Sequence, residues 1–279
     1  MLAYLNGHWL DEERAAVSID DPGLLTGDGA YETARLHRGR YFRLDRHLDR
    51  FEASAAVLRI PVPDAPELRA IAERLVREND LVEATLRFVV TRGAAPMTGP
   101  TLFATLRPLA PAHLTRAERG WSIVTASTRR PPVGTLPASF KGLGRTYAVL
   151  ARLEANAAGA DDALLLSADG DVAEGPAWNV FWRRGRTLFT PPADIGVLDG
   201  VTRSVTLELA GQNGFGVKEV VRPRAELDDA EEIFATMSSV GIVTIRALDG
   251  RPLESDAAAR LLNGRYWDLV GRECRPETE

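Results

Sequence analysis

Lysine is scarce in this chain. Of 34 basic residues only Lys141 and Lys218 are lysine, and the rest are arginine. The overall ratio reads as a bias toward arginine, which replaces lysine wherever only a surface cation is needed. It cannot replace lysine where a neutral amine must attack a carbonyl, because a guanidinium does not deprotonate in proteins. Lys141 lies in Ser139-Phe140-Lys141-Gly142-Leu143-Gly144, at the end of a loop and just before a helix. Apolar neighbours and glycines there would admit a bulky ligand and desolvate the amine, lowering its pKa toward nucleophilic use. A surface lysine is the other reading of this segment alone. Glu174, in Val172-Ala173-Glu174-Gly175-Pro176-Ala177-Trp178-Asn179-Val180-Phe181, is a carboxylate between two apolar strands. Such a group faces a cation, carries a proton or sits exposed at a strand end. Gly196-Val197-Leu198-Asp199-Gly200-Val201-Thr202-Arg203 is a loop feeding a helix. Its N–H groups and the Thr202 hydroxyl form either a simple N-cap or a cup for phosphate.

The three features together match what pyridoxal phosphate requires: a lysine, an acid opposite the pyridine nitrogen and a helix N-terminus for the phosphate. Other chemistries find less support. His8, His37, His47 and His113 are scattered without ligand-like spacing, so no metal site is expected. A G-x-S-x-G elbow and a Walker loop are absent. Thr26-Gly27-Asp28-Gly29-Ala30 is glycine-rich, but it lies between a loop and a strand, where a positive-φ turn is the default.

The elements that must position these residues are legible as periodicity. Residues 4–20 read as short strands around Asn6-Gly7, and residues 31–36 and 41–42 as a hairpin turning at Arg38-Gly39. Residues 20–30 between them read as a loop. From residue 44 to 59, Leu44, Leu48, Phe51, Ala55 and Leu58 recur at helical steps, and Pro61 and Pro63 stop the run. A second helix is predicted over 66–79, followed by strands near 84–91 and 101–107. Residues 108–119 are proline- and charge-rich without periodicity, which suggests a domain junction. Beyond it come a strand at 121–126, a loop at 129–139 and a helix at about 144–158. Short strands are expected at 163–167, 171–174, 178–182 and 187–190, with a helix starting near Thr202. Strands at 217–221, 232–237 and 242–247 and a helix at 255–270 complete an α/β or α+β chain with a sheet-rich C-terminal part.

These motifs, in order and spacing, resemble the class IV aminotransferases, the fold-type IV pyridoxal-phosphate enzymes. That family includes branched-chain and D-amino acid aminotransferases and aminodeoxychorismate lyases. The resemblance spans about residues 5–250. It rests on the Asn-Gly turn, Gly27-Asp28-Gly29-Ala30-Tyr31-Glu32-Thr33, His47-Leu48-Asp49-Arg50-Phe51, the lysine segment, Glu174 with Asn179-Val180-Phe181, Thr190-Pro191 and Gly200-Val201-Thr202-Arg203.

The resemblance implies a Schiff-base role for Lys141, with Glu174 on the pyridinium nitrogen. It makes Arg50, Val201 and Thr202 phosphate ligands and places Ser238 and Ser239 at the phosphate and substrate carboxylate. Tyr31 falls beside the substrate, and Arg87 aligns with a basic substrate-binding position, although an arginine on an alternating strand also reads as solvated. It further implies a small α/β domain over 1–112, a segment at 113–120 and a larger β-barrel-like domain over 121–279, with pyridoxal 5′-phosphate between the domains in a homodimer. The implied activity is ping-pong transfer of an amino group from an amino acid, a D-amino acid by first choice, or an amine to a 2-oxo acid. Elimination of pyruvate by a lyase and a non-catalytic paralogue are the alternatives.

Several positions depart from the subfamilies. Branched-chain enzymes show Glu-Gly where this chain has Glu32-Thr33, and tyrosine where it has Thr146, with Tyr147 one place late. D-amino acid enzymes carry Arg-x-His in the loop occupied here by Ala94-Ala95-Pro96-Met97-Thr98-Gly99, which has neither residue, and a lyase-like Arg-Gly-Tyr is absent there too.

Composition sets the outer bounds. The chain has 279 residues, 45% hydrophobic and 26% charged, enough for one large or two smaller domains. A net charge of −5 argues against a general grip on nucleic acid. No apolar run approaches the roughly 18–20 residues of a membrane span. One cysteine, Cys274, and no evident secretory signal fit the cytoplasm.

Overall fold

The computed structural model describes all residues except 95–98, 133, 136, 138, 139 and 276–279. Most of the loop in which an Arg-x-His element was sought therefore lies outside the described residues, as does Ser139. The chain forms two compact units, one of Met1–Leu109, Ser139–Arg145 and Val270–Glu279, the other of Ala110–Ala138 and Thr146–Leu269.

In the first unit, β1 (Leu2–Leu5) and β2 (His8–Asp11) flank Asn6 and Gly7, both at positive φ (48° and 85°), as an Asn-Gly hairpin requires. A five-residue helix, α1 (Pro22–Thr26), occupies the segment expected to be a loop. Too short to show a period, it is specified by its ends. Asp21 accepts from Gly23 N, proline opens it, and Gly27 closes it at φ 74°. A Cβ on Gly27 would lie 2.9 Å from Gly144 Cα, so only glycine lets the lysine segment pass.

Next come β3 (Gly29–His37), β4 (Arg40–Tyr41), α2 (Leu44–Val57), α3 (Ala65–Asn79), β5 (Glu83–Thr91) and β6 (Thr101–Pro108). The six strands form one antiparallel sheet in the order β2-β1-β6-β5-β3-β4. Helix α3 starts where Asp64 accepts from Glu67 N at 3.0 Å, a cap worth about 1 kcal/mol. It ends at Asp80 in the left-handed region (φ 49°). Leu48 and Phe51 of α2, Leu68 and Leu75 of α3 and Leu86 and Phe88 of β5 are buried together. Each large apolar side chain there contributes about 1.5–3 kcal/mol by leaving water.

The second unit opens with a helix, α4 (Pro111–Glu118), in the segment expected to be an aperiodic junction. It has two turns, so it offers only Leu114 and Ala117 to the core and no longer repeat. Arg116 anchors it by donating to Asp161 O at 3.1 Å, with its guanidinium 5.6 Å from the Trp121 ring centre.

Then follow β7 (Trp121–Arg129), α5 (Thr146–Ala157), β8 (Asp162–Leu166), β9 (Val172–Glu174), β10 (Asn179–Arg184), β11 (Thr187–Thr190), α6 (Val201–Gln212), β12 (Gly216–Glu219), β13 (Glu232–Met237), β14 (Gly241–Leu248), β15 (Arg251–Pro252) and α7 (Ala257–Glu273). The ladder β10-β13-β14-β7-β8-β9 returns to β10, closing a six-stranded barrel. The barrel-like architecture expected of the C-terminal part is thus present, and closure leaves no free edge among those strands. Buried Trp121, Val180, Trp182, Ile233 and Ile245 form its core. On β8, Ala163, Leu164 and Leu165 are all buried, so both faces of the strand are covered.

Candidate active site

The first unit holds the Lys141 amine in a network of buried charge. Residues 141–143 run beside the start of β3, where Tyr31 N donates to Lys141 O at 3.0 Å and Leu143 N to Gly29 O at 3.0 Å. Lys141 N donates to Ser54 Oγ of α2 at 3.1 Å. The backbone of the lysine is thereby fixed to both a strand and a helix. Gly142 has a use other than admitting a ligand, since a Cβ there would lie 2.2 Å from the Phe140 ring.

Lys141 Nζ is 3.4 Å from Glu32 Oε1. The same carboxylate accepts from Arg50 Nε and Nη2, each at 2.8 Å, and faces His47 Nδ1 at 3.1 Å. His47 and Arg50 lie three apart on α2, one turn of the same face. Burial pushes the Glu32 carboxyl up, and Arg50, then Lys141 and His47, more than offset this, holding it well below the usual carboxylate range. Burial pulls the Lys141 amine below its ordinary value, opposed by Glu32 and reinforced by Arg50. Desolvation likewise lowers His47. The outcome is an amine readier to lose its proton than a surface lysine, which is what nucleophilic or proton-shuttling use demands.

Tyr31 and Arg87 lie on the other face of the sheet. Val89 on β5 is the register partner of Tyr31, so Arg87 is its diagonal neighbour, with the guanidinium carbon 5.7 Å from the phenol ring centre. Arg87 is exposed and lines a cavity of about 660 Å³ with Thr85, Val89, Phe103 and Leu143. Arg145 Nη1 donates to Tyr31 Oη at 3.1 Å.

In the second unit Glu174 is buried and partnered. Its Oε2 accepts from Leu198 N at 2.9 Å and its Oε1 from Arg130 Nε at 2.8 Å. Asn179, opposite Glu174 in the β9–β10 ladder, donates to Leu198 O at 2.7 Å and ties the same loop to the barrel. That loop leads to α6. Its first residues are Val201 and Thr202, both buried, and its N-cap is Gly200, which supplies no side-chain cap. A Cβ at Gly200 would lie 2.2 Å from Asn179 Oδ1, so the cap must be glycine. The first N–H groups of α6 therefore remain available to an anion. Ser238 and Ser239 form the turn between β13 and β14, and Ser239 Oγ is 3.0 Å from His113 Nε2. Thr236, the register partner of Asn179 across the β10–β13 ladder, has its Oγ1 buried without a hydrogen-bond partner among the described residues.

Lys141, Arg50, Tyr31 and Arg87 thus belong to the first unit, and Glu174, Val201, Thr202, Ser238 and Ser239 to the second. Glu32 and His47 stood inside the sequence motifs without an assigned role. Arg130, Arg145 and His113 gave no local signal, since each meets its partner across 44, 114 and 126 residues.

The sequence model of the amino-transferase class IV family matches residues 29–248. A Methanocaldococcus jannaschii protein named "Putative branched-chain-amino-acid aminotransferase" is 37% identical over 263 residues, covering 91% of this chain and 90% of its own length. A D-alanine aminotransferase of Bacillus licheniformis is 31% identical over 269 residues, 94% of this chain and 93% of that protein. Among solved structures, the PLP-bound form of a hypothetical aminotransferase from Mycobacterium tuberculosis superposes with a TM-score of 0.89. It is 27% identical, with 98% of this chain and 100% of that one covered. With a buried amine of depressed basicity and a glycine-capped helix start already in place, this breadth of match leads to one conclusion: the chain belongs to the class IV aminotransferase family.

Proposed function

We propose that this aminotransferase moves the amino group of an amino acid, D-amino acids by preference, to a 2-oxo acid in a ping-pong exchange. The observation that carries the amino-transfer chemistry is the Lys141 amine, buried and bordered by Glu32 and Arg50. The D preference rests on Val172-Ala173-Glu174-Gly175, a segment closer to that of the D-amino acid enzymes, while Thr33 and Thr146 stand where branched-chain enzymes show glycine and tyrosine.

The enzyme is pyridoxal-phosphate-dependent, and the residues present suit that group. When bound, pyridoxal 5′-phosphate supplies an aldehyde and a ring able to take up the electron pair left at the substrate Cα. Lys141 Nζ would attach the aldehyde and shuttle the proton at Cα. Glu174, fixed by Leu198 N and Arg130, would hold the ring nitrogen in its protonated form. The N–H groups of Val201 and Thr202 would take the phosphate, and Arg50 and Ser238 are the further phosphate ligands that the family resemblance implies. The orphaned Thr236 hydroxyl is one more donor that a bound polar group would satisfy. Ser239, Tyr31 and Arg87 would face the substrate.

A homodimer is the proposed working form. Val17, Ile19, Leu24 and Leu25 of the first unit are all exposed, Ile19 by 78%, and a second copy would cover them. Light scattering should give twice the chain mass. The proposed location is the cytoplasm, on the single cysteine. No described helix is long and apolar enough to cross a membrane.

The test supplies labelled pyruvate or 2-oxoglutarate with a D-amino acid, an L-amino acid or an amine. Label should enter the amino product fastest with the D-amino acid. Transfer from L-amino acids alone would overturn the D preference, and pyruvate release without an acceptor would point to lyase chemistry.

A further inference from the structure

Arg145 is the last residue before α5 and groups with Lys141 and Tyr31 in the first unit. Its backbone N donates to Leu143 O at 2.7 Å, so the turn that carries the lysine also aims this guanidinium. Its Nη1 lies 3.1 Å from the Tyr31 hydroxyl, while Lys141 Nζ lies 5.2 Å from the centre of the same ring. The Tyr31 phenol thus has the Lys141 amine over its ring and the Arg145 guanidinium at its hydroxyl. An α-amino acid likewise brings a carboxylate close to the nitrogen that is to be transferred. A carboxylate in that corner would accept two parallel N–H bonds from a guanidinium and a third from the phenol. Arg145 is half-buried whereas Arg87 is exposed, so its charge is less screened. The phenol registers the difference: burial pushes it up, yet Arg145, followed by Lys141, brings it below its ordinary value.

We propose that Arg145 is a specificity-determining residue which, together with the Tyr31 hydroxyl, binds the carboxylate of the amino donor. Donors with a carboxylate are accepted on this account, and simple amines are rejected. The inference rests on the amino-transfer reading and refines it.

Steady-state kinetics on the holoenzyme would compare wild type, Arg145→Gln and Arg145→Lys with an amino acid and with a carboxylate-free amine such as 1-phenylethylamine. Loss of a charged bidentate contact should raise KM for the amino acid about 10- to 100-fold in Arg145→Gln, with kcat much less affected. The amine rate should hold or rise, and Arg145→Lys should recover part of the loss. Calorimetric titration of the cofactor-free protein with 3-phenylpropanoate gives a readout independent of turnover. Its Kd should weaken about tenfold or more in Arg145→Gln and in Tyr31→Phe. Ultraviolet titration, with Tyr31→Phe as the blank, should show the phenol titrating higher in Arg145→Gln. Unchanged KM selectivity and unchanged carboxylate affinity would overturn the proposal. Should Arg145→Gln fail to fold, Arg145→Lys and Tyr31→Phe carry the same comparison. If wild type transfers no amino group, the broader reading fails, and the calorimetry still decides what Arg145 binds.

Discussion

The two units hold their key groups by different means. Around Lys141 the work is done by side-chain charge, with one buried carboxylate, Glu32, shared among a histidine, an arginine and the amine. Around Glu174 it is done largely by backbone, through Leu198 N and the open start of α6, with Arg130 as the charged partner. Shared buried charges set one another's protonation, so their removal is not additive. Backbone donors are fixed by the fold and respond little to a neighbour's replacement. A chemistry that needs a tunable amine and a steady anion cradle is served by this division.

The largest effect should come from the amine itself. Lys141→Ala should lower turnover by at least about 10³-fold, whereas Lys218→Ala, exposed on β12, should leave it near wild type. Equal rates in the two variants would remove the distinction altogether. Next, Glu32→Gln leaves cations without their shared partner and should destabilise the cofactor-free protein by about 3–5 kcal/mol in urea unfolding. Glu174→Gln keeps an acceptor for Leu198 N, and a smaller loss, about 1–3 kcal/mol, is expected.

A double-mutant cycle on Glu32 and Arg50 should then show coupling of about 1–3 kcal/mol. Coupling as large between Glu174 and Arg130 would erase the contrast between the units. The smallest effect concerns acid. Glu154 on α5 accepts from Thr128 Oγ1 and from Ser127 N, both at 2.5 Å, and Thr128 leads the causes that hold its carboxyl at about 2 rather than 4.5. A carboxyl depressed in the folded state adds stability above its unfolded pKa. That stability is lost as pH falls from about 4.5 toward 2. Glu154→Gln should flatten this part of the acid-unfolding profile, read by circular dichroism.

Much of this could be read before the fold was seen, for a physical reason. Lys141, Glu174 and the α6 start announce themselves through local chemistry: an amine among apolar residues and glycine, an acid within a strand run, a glycine-led loop entering a helix. The strand at 187–190 and that at 232–237 were set by turn residues and β-branched or aromatic runs, and the structure matches both. What stayed hidden depends on pairing at a distance. Whether Arg145 reaches Tyr31, or Arg130 reaches Glu174, follows from strand register and crossover, which no window of sequence contains. Helices α1 and α4 escaped because one or two turns cannot display a period.

The excursion of residues 139–145 back to the N-terminal unit bears on how the molecule is made. The last strand of that unit's sheet ends at Pro108, yet the lysine that completes it emerges some 32 residues after Leu109. At about 5–20 residues per second on a ribosome, that is a wait of about 2–6 s. A nascent chain stalled before residue 141 therefore presents Glu32, His47 and Arg50 without the amine. On the role proposed for Lys141, nascent enzyme cannot capture an aldehyde at this position until translation has entered the second unit.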